Sequence, residues 1–201
     1  MSDADLWREA AEKAIKSLQD VNVYKLVPQT AIAPGQKVIG TKWVFKVKAN
    51  QTYKARLVTQ GCNQVPGQDY GSTFAPGCRL QSVRMVLAIT AEMDCEVRQL
   101  DVKTAFLFAH IEEEVFVAEP QGFETNDTEK RLLVMKHGKS LYGLAQSPGN
   151  WFHTTDPVLI SIGFGPLEYD KCICIYNHDG VIIILTFYAD DLLGLEAIFD
   201  L

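Results

Sequence analysis

Three carboxylates in this chain stand where strand-like runs end. Asp101 closes VRQLD, and Asp190 and Asp191 close VIIILTFYADD at residues 181–191. A buried strand sends successive side chains to opposite faces, so two adjacent acids at its end converge only where the chain turns. Asp is also a common turn residue that bonds its own backbone, and the pair read alone fits a turn better. If the two runs end together, at the end of a three- or four-stranded sheet, three carboxylates repel one another unless divalent metal lies between them. Hard cations about 3.5–4 Å apart, bridged by carboxylates, are what two-metal phosphoryl transfer uses. One ion activates an attacking 3′-hydroxyl and the other holds a triphosphate and its leaving pyrophosphate, so no nucleophilic side chain is required.

The elements that must position these acids follow from periodicity. Residues 3–18 place Trp7, Ala10, Ala11, Ala14, Ile15 and Leu18 at helical spacing, with acids in the first turn. TKWVFKVK (41–48) and TYKARLVTQG (52–61) read as a basic hairpin, and a loop rich in Gly and Pro leads to a helix over 81–93 with Ser82 as its cap. A short strand carries Asp101 at its C-terminal end, and EEVFVAEP is another. Residues 131–164 hold a strand, a loop and a helix capped by Ser147 with Pro148 at its first position, which Pro157 should kink or split. A hairpin turned at NHDG then leads to a tight turn at the paired aspartates. The order is α+β, helices on an antiparallel sheet.

Composition narrows the classes. Over 201 residues, 47% hydrophobic and 22% charged residues describe a globular chain and exclude disorder and collagen-like repeats. There is no apolar run of about 18 residues and the N-terminus is too acidic for a signal peptide, so the chain is expected to be intracellular and without membrane contact. Five scattered cysteines fit neither a disulfide framework nor zinc spacing, and read as core residues. The net charge of −6 hides an asymmetry: no acid lies between Val21 and Gln68, while Lys25, Lys37, Lys42, Lys46, Lys48, Lys54 and Arg56 do. One basic segment in an acidic chain suggests a surface for nucleic acid or a nucleoside triphosphate, and reads otherwise as a solvated hairpin.

TKWVFKVK, YKARLVTQG, DYGSTFAP, QLDVKTAF, EEEVFV, KSLYGLAQSPGNW and YADD occur in one order. From about Leu18 to Gly194 the chain resembles the reverse transcriptase domain of Ty1/copia-type retrotransposons. The resemblance favours the carboxylate reading of Asp190 and Asp191 over the turn. It implies a polymerase palm with an antiparallel sheet, a fingers hairpin lobe and RNA-directed DNA polymerisation. Asp101, Asp190 and Asp191 would be its catalytic metal ligands. Mg²⁺, or Mn²⁺ in its place, would be the cofactor. Phe106 matches the ring beneath the incoming sugar that excludes a 2′-hydroxyl, and reads otherwise as core. Gln146 matches the glutamine lining the nucleotide site, and Lys54 and Arg56 the fingers residues facing triphosphate or template. The implied organisation is an N-terminal helix (1–20), a fingers-like region (21–95) and a palm (96–201). Partners would be an RNA or DNA template with primer and deoxynucleoside triphosphates, in a cytoplasmic particle or the nucleus.

The chain also departs from that pattern. Only ANQT joins the hairpin strands, Ala145 and Gly149 stand where the family carries basic residues, LFAH replaces LNG, and Ala189 replaces a valine. The sequence stops ten residues after Asp191, so thumb and other Pol domains are expected to be missing. Two further readings stay open: a catalytically inactive relic serving as a nucleic-acid-binding or interaction module, and another palm-fold nucleotidyltransferase or cyclase.

Overall fold

The apolar spacing at the start of the chain folds as α1 (Asp3–Asp20), which opens on a reciprocal cap: Asp5 N–H donates to Ser2 Oγ (3.3 Å) and Ser2 N–H to Asp5 Oδ2 (2.9 Å). The structure, a computed structural model, describes residues 2–125, 133–188 and 191–198. After α1 come β1 (Tyr24–Pro28), β2 (Val38–Ile39), β3 (Thr41–Val47) and β4 (Tyr53–Thr59), then α2 (Leu80–Glu92) and β5 (Glu96–Asp101). The chain continues through β6 (His110–Ala118), β7 (Leu133–Lys139), α3 (Ser147–Ser161), β8 (Gly165–Pro166), β9 (Ile173–His178), β10 (Val181–Tyr188) and β11 (Asp191–Ile198). This is an α+β chain with several sheets. Among the described residues no helix is long and apolar enough to cross a membrane.

Two compact units divide it: Met1–Thr73 with Phe106–Ser147, and Phe74–Ala105 with Pro148–Leu201. In the first unit β1, β7, β6 and β2 form one sheet, antiparallel except where β2 runs parallel to β6, and β3 pairs with β4. Ile15 and Leu18 of α1 join Val23, Leu57, Val117 and Met135 in its core. Each such buried aliphatic side chain contributes roughly 1.5–3 kcal/mol. Trp7 packs edge-on against Phe45 (5.2 Å) and Tyr53 (4.4 Å), which seats α1 on the hydrophobic face of the β3–β4 hairpin.

The second unit is built on an antiparallel sheet of order β5-β11-β10-β9-β8. It has five strands where three or four are expected, because the two-residue β8 adds an edge. The NHDG turn forms as read: Asp179 and Gly180 both take positive φ, 50° and 78°, between the paired His178 and Val181. Phe152 of α3 stacks on Phe187 of β10 (5.7 Å). Cys172 and Cys174 are fully buried and Cys78 nearly so, as read, whereas Cys62 is exposed and Cys95 half-buried. Burial raises the three core thiols, Cys172 to about 12 and Cys78 and Cys174 to about 11, which leaves them inert.

One sequence expectation fails here, and half of another. Ser82 does not cap α2: Arg79 holds the cap position with no side-chain bond, and the Ser82 hydroxyl donates to Asp170 Oδ2 (2.6 Å). That carboxylate also accepts from Arg79 N–H and Cys172 N–H, both at 3.1 Å, so the acid tying down the start of α2 comes from the loop before β9. Pro157 does not split α3, which runs on to Ser161. The proline has no N–H for the His153 carbonyl, but both residues are exposed, and water can satisfy that oxygen.

Candidate functional site

Asp101 is the last residue of β5, and β5 pairs antiparallel with β11 in a register that sets Asp101 directly opposite Asp191. In such a pair the Cβ atoms lie about 4.5–5.5 Å apart, and like charges so placed destabilise the sheet. The register follows from the β10–β11 hairpin, where Tyr188 pairs with Asp191 across a two-residue connection. Asp190 is one of those two residues and lies outside the described residues, so the expected third ligand is not placed. Among the described residues no three His, Cys, Asp or Glu groups gather in a way that could hold a metal ion.

The other end of this ladder carries a second acid pair, Glu96 opposite Glu196. Arg98 sits between them, its Nη2 3.1 Å from Glu96 and 4.0 Å from Glu196. At the aspartate end neither Asp101 nor Asp191 has an ion-pair partner among the described residues. Two hard oxygen donors on neighbouring, hydrogen-bonded strands, without an internal cation, fit the chemistry of Mg²⁺ or Mn²⁺.

The first unit holds the other residues singled out in the sequence. On the β3–β4 hairpin Lys46 pairs with Lys54, Val44 with Arg56, and Lys42 with Val58. Alternation therefore puts Lys42, Lys46, Lys54 and Arg56 on one face, away from the Trp43, Phe45 and Tyr53 face that meets α1. Directly opposed lysines cost stability, as the aspartates do, and make a surface suited to a polyanion.

Phe106 lies in a short 3₁₀ turn (Ala105–Phe108) and is half-buried. Its ring meets Tyr142 edge-on at 5.0 Å, and the Arg56 guanidinium lies 5.6 Å from the same Tyr142 ring. Phe106 and Arg56 are thus brought together through a residue that the sequence reading did not single out. Tyr142 belongs to the KSLYGLAQSPGNW motif, but its aromatic partners are distant in sequence and leave no local signal.

Two glycines fix that crossing. Gly143 has φ +94°, and a methyl group there would overlap the Thr59 carbonyl oxygen; one on Gly61 would overlap the Gly143 carbonyl oxygen. This close approach lets Thr59 N–H and Oγ1 both donate to the Tyr142 carbonyl, at 2.8 and 3.0 Å. Gln146 is 1% exposed, with both ends of its amide engaged. Its Oε1 accepts from Gln64 Nε2 (3.1 Å) and its Nε2 donates to the Asp69 carbonyl (3.4 Å). Gln64 Oε1 accepts in turn from Ala145 N–H (2.8 Å). Gln64 sits in a Gly- and Pro-containing loop without a pattern and was not legible as Gln146's partner.

Comparison with known proteins places the chain in a family. The family model described as reverse transcriptase (RNA-dependent DNA polymerase) matches residues 21–197. The chain is 38% identical over 191 residues to the retrovirus-related Pol polyprotein from transposon TNT 1-94 of Nicotiana tabacum, covering 92% of this chain and 14% of that protein. It is 34% identical over 194 residues to the Pol polyprotein from transposon RE2 of Arabidopsis thaliana, covering 94% of this chain and 13% of that one. The chain therefore spans about a seventh of the length of the curated relatives it matches.

Proposed function

The chain belongs to the reverse transcriptase (RNA-dependent DNA polymerase) family, and on that premise we propose that it is the fingers and palm part of an RNA-directed DNA polymerase. The observation that carries this reading is the uncompensated pair Asp101–Asp191, opposed in register on adjacent strands while the equivalent glutamate pair has its own arginine. Together with Asp190, the next acid in the sequence before Asp191, these carboxylates would hold divalent ions. Such ions, when bound, neutralise charge on an attacking 3′ oxygen and a leaving pyrophosphate. The strands' part is to fix the oxygens before substrate arrives, since both acids end paired strands and need no reordering. Residues 96–201 would correspond to palm and the β3–β4 hairpin to fingers, with Lys54 and Arg56 facing triphosphate or template and Phe106 and Gln146 belonging to the nucleotide pocket.

Calorimetric titration with Mn²⁺ tests this. The chain should bind the ion, and Asp101→Asn and Asp191→Asn should each weaken binding at least about tenfold, since each removes one charged ligand. A folded wild-type chain that takes up no Mn²⁺, or variants with an unchanged isotherm, would overturn the assignment and leave the inactive relic.

A further inference from the structure

We infer that Tyr142 is a specificity-determining residue: its ring ties the Phe106 ring to the Arg56 guanidinium, so that the contact with the sugar and the contact with the triphosphate are set in one register. The inference rests on the nucleotide-pocket reading of Phe106 and Arg56 given above, and adds to it a residue that neither the sequence motifs nor the family match assigns.

The geometry is a continuous stack within one unit. Phe106 meets Tyr142 edge-on at 5.0 Å with an interplanar angle of 70°, and the Arg56 carbon Cζ lies 5.6 Å from the Tyr142 ring centroid. Edge-on rings and a cation over a ring are both attractive and directional, so each partner is held in orientation as well as in place. Tyr142 itself is anchored by its backbone. Its carbonyl accepts two bonds from Thr59, and the next residue, Gly143, is one of the two glycines that permit the close crossing with β4. Arg56 lies on that same strand three residues before Thr59, so the anchor and the cation share one rigid element. Phe106 sits in a short 3₁₀ turn, where its own carbonyl accepts from Ala109 N–H (3.1 Å), and its ring is oriented by the edge-on contact with the Tyr142 ring.

A sugar gate works by steric exclusion, and exclusion needs a ring that does not tilt. Removing the Tyr142 ring leaves Phe106 free to rotate out of the way of a 2′-hydroxyl and releases Arg56 from its seat. The consequence is lost discrimination between deoxyribose and ribose rather than a uniform loss of binding. That separates a specificity role from one of general support.

The test measures dTTP and UTP binding to the whole chain by equilibrium dialysis. It is run at low salt with Mg²⁺ and a poly(rA)·oligo(dT) duplex whose primer is blocked at its 3′ end. Wild-type chain should prefer dTTP, and Tyr142→Ala should reduce the dTTP-to-UTP affinity ratio by about tenfold, while Tyr142→Phe, which keeps the ring, retains it. Tyr142→Leu, which keeps apolar bulk without a ring, should lose the ratio as Ala does and serves where Ala fails to fold. Phe106→Val is run beside them. If it relaxes the ratio while the ring-less Tyr142 variants, still folded, do not, this inference is overturned and the gate reading stands. If wild type shows no preference, or Phe106→Val changes nothing, the nucleotide-pocket reading falls and this inference with it.

Discussion

The β5–β11 ladder sets like charges against each other twice, and the two ends are resolved differently. At Glu96 and Glu196 the protein supplies its own cation, Arg98, placed on the strand that carries one of the acids. At Asp101 and Asp191, five residues further along the same strands, it supplies none among the described residues. Backbone pairing, antiparallel sense and exposure of β5 are common to both ends. An acid pair in a sheet is therefore not in itself the mark of a site. The missing counter-charge is, because folding leaves in place a repulsion that only something from outside can relieve.

A third carboxylate sharpens this most. Asp170 is buried and satisfied by donors rather than a cation: Ser82 Oγ, Arg79 N–H and Cys172 N–H. Asp170→Ala strands those donors and should cost about 2–3 kcal/mol in urea unfolding at pH 7, whereas Asp191→Asn, by easing repulsion, should cost nothing. Burial alone would raise the Asp170 carboxyl, but the Ser82 and backbone hydrogen bonds outweigh it and hold it below the usual range. A lowered folded value means the stabilisation is complete above the ordinary value of about 3.9 and is lost as pH falls through the folded one. The gap between wild type and Asp170→Ala should accordingly narrow in acid. A gap independent of pH would show that the ionised form does not matter there.

The comparison can next be broken deliberately by copying one end onto the other. Gln99 stands two residues before Asp101, on the same strand face, as Glu96 and Arg98 are two apart. Gln99→Arg should place an internal cation beside the aspartates and weaken Mn²⁺ binding about tenfold, or about 1.4 kcal/mol. Unchanged affinity would mean that counter-charge is not what distinguishes the ends. The smallest effect belongs to the reverse change. Arg98→Gln should cost only about 0.3–0.5 kcal/mol, since all three charges are well exposed, and the loss should fade in high salt. A loss insensitive to salt would assign Arg98 a packing role instead.

How much of this was legible in the sequence depended on where each residue's partner lay. The basic hairpin, α1 and the Asp179–Gly180 turn are written in local periodicity and turn chemistry, and they appear where expected. The facing of Asp101 and Asp191 was foreseeable because both end strand-like runs. The hydrogen bonding of Gln64 to Gln146, the placing of Tyr142 between Phe106 and Arg56, and the bond from Ser82 to Asp170 were not, since each joins segments some 35 to 90 residues apart. Ser82 misled for a physical reason: the helix starts at Leu80, so Ser82 is its third residue rather than its cap, and its hydroxyl donates to the buried Asp170 carboxylate instead.

The interleaving of the two units has a consequence for the order in which the molecule is made. β1 must wait for β7 and β2 for β6, while β5 waits for β11 at residues 191–198. On a ribosome β1, β2 and β5 therefore stay without their partners until those later strands are made. High sequence separation of this kind makes folding slow and leaves bare strands open to pairing with other chains. The same delay means that Asp101 and Asp191 are not set opposite each other until β11 docks, so the candidate site would come into being with one of the last steps of folding.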